Sequence, residues 1–416
     1  SRYRFTLPGD AHHSLAFEQL GPLSFAETLK LVWALPHLDR LDPTELEQVW
    51  RVVGGHPRSL EYLDALLGRG HARFSDVRAR LITTARHRLS QLGQDPDAYL
   101  TRHTTLDAAL AEVVTLAADD ILLDQLLAGL AHLPNAHRLL LGASVYRVPV
   151  TPDALAFQLA TIDPTLESAD ATRRADLNQR IATLLAAHGV TPGTSLDEFP
   201  PSLRAEVLAL APDLRPRPPL TTVPTDLDAL IKAGAEASLL TTTTAGAIRT
   251  VYMHRWTATA LQDRARRHGQ TDELIDAHRR AAQYWTWRVR VWPQNADADI
   301  HDLREAHHHY TTLVHLGDTT ALTGLATTAT TLNQRLTRLG RRTEALPYAQ
   351  EAERIHRAKA DPDTPNPDLA QALNQLGISL SNVGRREDAL AATAEAVEIY
   401  RRLAQANPGA FEPDLA

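Results

Sequence analysis

The sequence predicts a mainly α protein: a helical domain and a winged helix, followed by an α-solenoid of tetratricopeptide-type repeats. Three observations carry that expectation. Apolar residues recur at helical spacing over most of the chain, as at Phe25, Leu29, Val32 and Trp33. One stretch, Ser238 to Tyr252, changes period: Leu239-Leu240-Thr241 and Ile248-Arg249-Thr250-Val251-Tyr252 flank Ala245-Gly246, which is a hairpin signal. The last quarter repeats itself, with 44 residues from Gly340 to Gly384 and 44 from Glu351 of EAERIHR to Glu395 of EAVEIYR.

In chain order, Phe25 to Leu35 reads as an amphipathic helix stopped by Pro36. Asp42 caps the next helix, with Pro43 at its first position, and that helix runs to Val53. Gly54-Gly55-His56-Pro57 breaks the pattern before a helix whose buried stripe is Leu60, Leu63, Ala65, Leu66 and Leu67. Ile121 to Leu133 and Leu139 to Tyr146 form a helical pair, and Thr151-Pro152-Asp153 opens another helix. Thr161 to Pro224 reads as an insertion or linker, because APDLRPRPPLTTVP crowds prolines where regular structure would need amide donors. Leu227 to Gly234 resumes a helix with Gly234 as its C-cap. Helices followed by a hairpin give the order of a winged helix.

The repeats read as helical hairpins of the tetratricopeptide kind. Leu339-Gly340-Arg341-Arg342 matches Val383-Gly384-Arg385-Arg386, and Thr331-Leu332-Asn333-Gln334 is paired with Ala372-Leu373-Asn374-Gln375. Pro413-Asp414-Leu415-Ala416 echoes Pro367-Asp368-Leu369-Ala370, so the array is expected to continue.

Bulk properties exclude several classes. A chain of 416 residues is expected to hold two to four domains. A net charge of -7 gives no global case for nucleic acid or an anionic membrane. No apolar run reaches the length of a membrane helix. The absence of cysteine removes disulfides and thiol chemistry and points to the cytoplasm. No GxxxxGK[ST], GxGxxG, GxSxG or HExxH motif is present, so no catalytic residue is assigned and no enzymatic activity is expected of this chain. Asp119-Asp120 reads as N-terminal capping for the helix that follows. His301, His307, His308 and His309 form the one metal-like group, with His301 and His308 seven apart. They lack a carboxylate partner and a zinc motif, so they read as a solvated or repeat-packing face, and no metal residue is assigned.

Four short stretches in order resemble the signal-transduction ATPases with numerous domains (STAND), the class that includes NB-ARC proteins. Ser1-Arg2-Tyr3-Arg4-Phe5 resembles the sensor strand that ends the nucleotide-binding domain. Leu20-Gly21-Pro22-Leu23-Ser24 with Glu27-Thr28 resembles the entry to the following helical domain. Gly54-Gly55-His56-Pro57-Arg58-Ser59-Leu60 resembles the Gly-x-Pro motif, and Tyr252-Met253-His254-Arg255-Trp256 the Met-His-Asp motif of the winged helix. The resemblance implies residues 1–19 as the tail of a nucleotide-binding domain, 20–105 as a helical domain, 106–270 as a winged helix with an insertion at about 161–224, and 271–416 as repeats.

It further implies that Arg2 senses the γ-phosphate, Pro57 walls the adenine pocket, and His254 donates a ring N–H to the β-phosphate of ADP. ADP or ATP would be shared with a P-loop ATPase domain upstream in a longer chain. The repeats would then sense a protein or peptide ligand, with homo-oligomerisation on activation. Each residue has a local alternative: a strand-end arginine, a helix-start proline, and a histidine held at the junction of hairpin and helix. The family's acidic residue after the histidine is Arg255 here, and a guanidinium cannot serve as that carboxylate. Two other functions compete: a winged-helix DNA-binding transcription regulator, and a plain tetratricopeptide scaffold. The first wants a Lys/Arg-studded recognition helix that Ile121 to Leu261 does not display.

Overall fold

The computed structural model describes residues 23–53, 55–68, 83, 122–190, 194–210, 214–245, 248–291, 295–361, 364–407 and 411. The chain is mainly α-helical and divides into two compact units. One comprises Ser1–His137 with Asp228–Thr241, the other Arg138–Leu227 with Thr242–Ala416. Among the described residues no helix is long and apolar enough to cross a membrane.

In the first unit, α1 (Phe25–Val32), α2 (Pro43–Val53) and α3 (Pro57–Gly68) pack together. Each start is fixed locally. Ser24 and Glu27 form a capping box on α1, so two of the amides orphaned at a helix start are satisfied reciprocally. Asp42 Oδ1 accepts from the Thr44 and Glu45 amides, both at 2.8 Å, which bears out its reading as the cap of α2. α1 stops at Val32 rather than Leu35. Tighter turns follow, as Ala34 and Leu35 donate three residues back to Leu31 and Val32. On α3, Asp64 is buried but accepts the His37 and Leu38 amides at 2.8 Å each, so its burial leaves no orphan. Residues 122–130 are helical.

α8 (Leu227–Glu236) runs two residues past Gly234, which is an interior helical position rather than the predicted C-cap. The left-handed residue that ends it is Ser238 (φ 55°), and the Leu239 and Leu240 amides fold back onto the Gly234 carbonyl.

The second unit opens within α4 (Ala136–Ser144), at Arg138, and continues with α5 (Pro152–Leu159), α5 having Thr151 at its N-cap position and Pro152 at its first turn. The stretch from Thr161 to Pro224 departs from the expected linker. It contains β1 (Thr161–Ile162), the 23-residue α6 (Thr165–Ala187), α7 (Pro201–Leu210) and β2 (Leu220–Thr221), with β1 and β2 antiparallel. The crowded prolines sit only at its end. Its long helix carries almost no buried apolar stripe (Asp170 and Leu177 are its buried residues), so periodicity gave no signal. Arg173 and Arg174 clamp the Asp170 carboxylate at 2.7 and 2.9 Å.

The predicted hairpin is present as β3 (Thr241–Ala245) paired with β4 (Ile248–Tyr252). Val150 adds an antiparallel bridge to Val251, with amide–carbonyl distances of 2.9 and 2.7 Å. α9 (Arg255–Arg267) follows directly.

The solenoid consists of α10 (Thr271–Val291), α11 (Ala296–His315), α12 (Leu322–Arg338), α13 (Arg342–Lys359), α14 (Pro367–Asn382) and α15 (Arg386–Ala406), each packed on the next. Gly340 (φ 74°) and Gly384 (φ 83°) take the left-handed turns between paired helices, and the Arg341 and Arg385 amides reach back to Leu336 and Leu380. Buried positions recur at the 44-residue period: Leu325 with Leu369, Leu336 with Leu380, Ala345 with Ala389, Ala352 with Ala396. That register corrects the pairing of Thr331-Leu332-Asn333-Gln334 with 372–375. Asn333 is equivalent to Gly377, because LNQ recurs one turn too early and its two copies face differently. α5 joins the array through Phe157, whose ring meets Tyr284 at 5.5 Å, and Tyr146, just past α4, meets the same ring at 6.1 Å.

Candidate functional site

Of the three residues assigned from the sequence, Arg2 lies outside the described residues. Pro57 belongs to the first unit and His254 to the second.

Pro57 is exposed at the first position of α3, where its missing amide and fixed φ suit a helix start. The motif around it is built against the entry of α1. The Leu23 amide donates to the Gly55 carbonyl at 2.9 Å, and the Trp50 indole N–H donates to the Leu23 carbonyl at 2.9 Å. Gly55 has φ 66°, and a Cβ there would lie 2.2 Å from the Leu23 carbonyl oxygen. Only glycine fits. Leu23, from the LGPLS motif, and Gly55, from GGHP, are therefore joined in one local structure. Arg58 extends it, pairing with Glu61, donating to the Ser238 carbonyl and lying 5.1 Å over the Tyr62 ring.

His254 is the N-cap of α9. Its Nδ1 accepts from the Trp256 amide at 3.3 Å, while the ring is exposed. An Nδ1 that accepts assigns the ring proton of a neutral imidazole to Nε2. Met253 beside His254 is buried at 2% exposure and anchors the segment, while Arg255 is exposed.

Sequence reasoning did not find the polar cleft next to this segment. It has a volume of about 700 Å³ and is walled by the end of α4, the end of β4, α9, α10 and α11. Its charged and titratable lining comprises Arg147, Arg255, Arg266, Glu305, His278 and His308. Arg147 grips the buried Glu305 carboxylate through two hydrogen bonds, 3.1 and 2.7 Å. Behind the lining, His278 and His309 meet Nδ1 to Nδ1 at 3.0 Å. The Nε2 atoms of both rings are buried and without a hydrogen-bond partner. Burial pushes the His278 imidazole down to about 3, with repulsion from His308 and Arg266 added. Burial and then Arg147 hold His308 at about 4, against an opposing pull from Glu305. Burial drives His309 well below the usual histidine value. All three rings are neutral near pH 7.

The histidines singled out on α11 go to different places. His301 is exposed beside Asp302, His307 meets Glu351 at 2.5 Å across the array, His308 lines the cleft, and His309 is fully buried. Among the described residues no group of three or more His, Cys, Asp or Glu side chains is arranged to hold a metal ion.

Within the solenoid, buried Asn333 donates to the Ala345 carbonyl at 3.0 Å and to Ser379 Oγ at 2.7 Å, tying α12 to both α13 and α14. Residues 369–408, which span most of α14 and all of α15, match the family model of the tetratricopeptide repeat. A tetratricopeptide repeat lies here. The repeat buries its own core of Leu369, Leu373, Leu380, Ala389, Ala392 and Ala396 and presents a surface suited to protein partners. No curated protein matches the chain significantly.

Proposed function

We propose that the chain is the regulatory and sensor portion of a nucleotide-switched ATPase of the STAND class. The helical domain and winged helix close over ADP bound to an upstream P-loop domain, and the repeats receive a protein or peptide signal. Coupling runs as a rigid-body shift between two states, with oligomerisation surfaces uncovered in the active one. The observation that carries this reading is His254. It stands at the junction of hairpin and helix, exposed, with Nδ1 accepting from its own helix.

Supporting observations are local. The order of α4, α5, α8, β3 and β4, with Val150 bridging Val251, suits a winged helix. The contact between Leu23 and Gly55 lies just ahead of Pro57, which is exposed at a helix start, as an apolar wall against a base requires. Bound ADP would supply the phosphate charge that locks the resting state; Pro57 and His254 would hold its adenine and β-phosphate ends, and Arg2 would report the γ-phosphate of ATP. Arg255 in place of the family's acidic residue turns the lock electropositive at the phosphate, so resting stringency depends on His254 and not on a carboxylate.

The repeat match supports a second, simpler reading, a tetratricopeptide scaffold without a nucleotide switch. The two part on one experiment. In the longer protein that includes the P-loop domain, His254→Ala gives constitutive oligomers if the latch operates. An oligomeric state unchanged with and without ADP supports the scaffold.

A further inference from the structure

The hairpin of α14 and α15 leaves an apolar groove open. The groove has a volume of about 490 Å³, and its lining includes Asn374, Gly377, Ile378, Ala389, Leu390 and Thr393. Leu390 is 73% exposed and Ile378 is 45% exposed. Single exposed apolar side chains are ordinary on a protein surface. Two large ones lining one groove mark a surface built to be covered.

The 44-residue register identifies the cover. Leu390 is equivalent to Leu346, Ala389 to Ala345, Thr393 to Ala349 and Gly377 to Asn333. In the preceding hairpin these positions seat α14. Asn333 bonds Ser379 of α14, Leu346 is half-buried against the core that holds Leu369, Leu373 and Leu380, and Ala349 is buried. The groove is therefore the same seat one repeat further on. It is also more apolar. Ile378 stands where the earlier seat has the half-buried Gln334, and Gly377 lacks the amide that Asn333 donates. Thr393 lies over that glycine, its Oγ1 2.4 Å from where a Cβ would sit.

A second observation, in the sequence, names the occupant. Pro413-Asp414-Leu415-Ala416 repeats Pro367-Asp368-Leu369-Ala370, the four residues that open α14. Pro367 comes eight residues after the end of α13 at Lys359, and Pro413 comes seven after the end of α15 at Ala406. Between them Phe411 packs on Ala370 and Leu403, which holds the chain against its own hairpin. We propose that the groove seats a further helix of this same chain, opened by Pro413-Asp414-Leu415-Ala416 and continued by the residues encoded after Ala416. Its apolar stripe lies across Ile378 and Leu390. This joint has no counterpart of the Asn333–Ser379 hydrogen bond, so apolar burial alone holds it. The inference goes beyond the nucleotide latch and applies equally to a scaffold.

The chain contains no cysteine, so a single Leu390→Cys substitution reports on the groove directly. Its rate of modification by an uncharged maleimide, read by mass spectrometry, is compared in the 416-residue chain and in the chain extended through the residues encoded after Ala416. Thr343→Cys, at an exposed position near the start of α13, is the reference. The two thiols are expected to react at similar rates in the 416-residue chain. In the extended chain Leu390→Cys is expected to react at least tenfold more slowly, with the reference unchanged. Leu390→Lys is expected to lower the urea midpoint of the extended chain and to leave that of the 416-residue chain unmoved. Equal Leu390→Cys rates in the two forms overturn the proposal, as does an encoded continuation without the apolar spacing of α14. Protection already present in the 416-residue chain and rising with protein concentration assigns the groove to a second copy, and also overturns it. Neither result bears on His254, so this proposal and the latch stand or fall separately.

Discussion

His278 on α10 and His309 on α11 share one hydrogen bond, Nδ1 to Nδ1 at 3.0 Å, in the interior of the second unit. Two neutral imidazoles can share a proton this way, and a doubly protonated pair cannot. With His308 alongside in the cleft wall, three imidazoles have folded-state values far below the ordinary one near 6.5. The unfolded chain therefore binds more protons below about pH 6.5, so stability is complete above that value and falls as pH drops toward about 4 and then about 3. Each ring contributes up to about 1.4 kcal/mol of loss per pH unit in that window. Urea unfolding at pH 7.5, 6.5 and 5.5, above the carboxylate range, is expected to show a midpoint nearly level between the first two and clearly lower at pH 5.5. The double variant His278→Leu/His309→Phe, which removes both partners of the bond, is expected to show a shallower fall.

Gly55 tests the contact with Leu23 in the first unit. With φ 66° and the Leu23 oxygen in the way of any Cβ, Gly55→Ala is expected to cost at least about 1–3 kcal/mol and to free the Leu23 amide to exchange with deuterium. Gly340→Ala provides the contrast. Its φ is 74° but nothing lies within 4 Å of a new Cβ, so only the backbone preference is lost, about 1 kcal/mol. Equal effects would contradict the close approach of Leu23 to Gly55.

Asn333 holds successive helical hairpins together through a buried side chain. Asn333→Ala leaves Ser379 Oγ without its donor and is expected to lower stability by about 1–3 kcal/mol. A double-mutant cycle with Ser379→Ala, read by chemical unfolding, is expected to give a coupling of at least about 0.5 kcal/mol.

His254 is both cap and proposed nucleotide contact, and two substitutions separate the roles. His254→Ala loses the acceptor for the Trp256 amide and is expected to cost about 1 kcal/mol. Asparagine is among the best N-cap residues, so His254→Asn is expected to keep that stability while removing the imidazole donor. Thermal unfolding of the two variants side by side checks the split.

Much of the architecture was legible because local rules dominate it. Asp42-Pro43, Thr151-Pro152 and the 44-residue glycine period each name a helix boundary with a physical cause, and the structure places boundaries there. The helix from Thr165 escaped notice because its sequence carries no buried stripe to betray it. Asn333 matches Asn374 by letter but is equivalent to Gly377, because the repeat preserves the burial pattern rather than residue identity. The cleft was the least legible feature. His278 and His309 are 31 residues apart on different helices, and Arg147 sits 158 residues from Glu305, so no single-segment periodicity brings them together.

The proposed nucleotide latch rests on one side chain, His254. ADP affinity of the form that carries both the P-loop domain and this chain, measured for wild type and for His254→Asn, tests it most directly. The account predicts a loss of roughly tenfold or more in ADP affinity, about 1.4 kcal/mol, together with oligomers formed without any signal. Equal ADP affinity and an unchanged oligomeric state in the asparagine variant would contradict it and leave a tetratricopeptide scaffold with a well-capped helix.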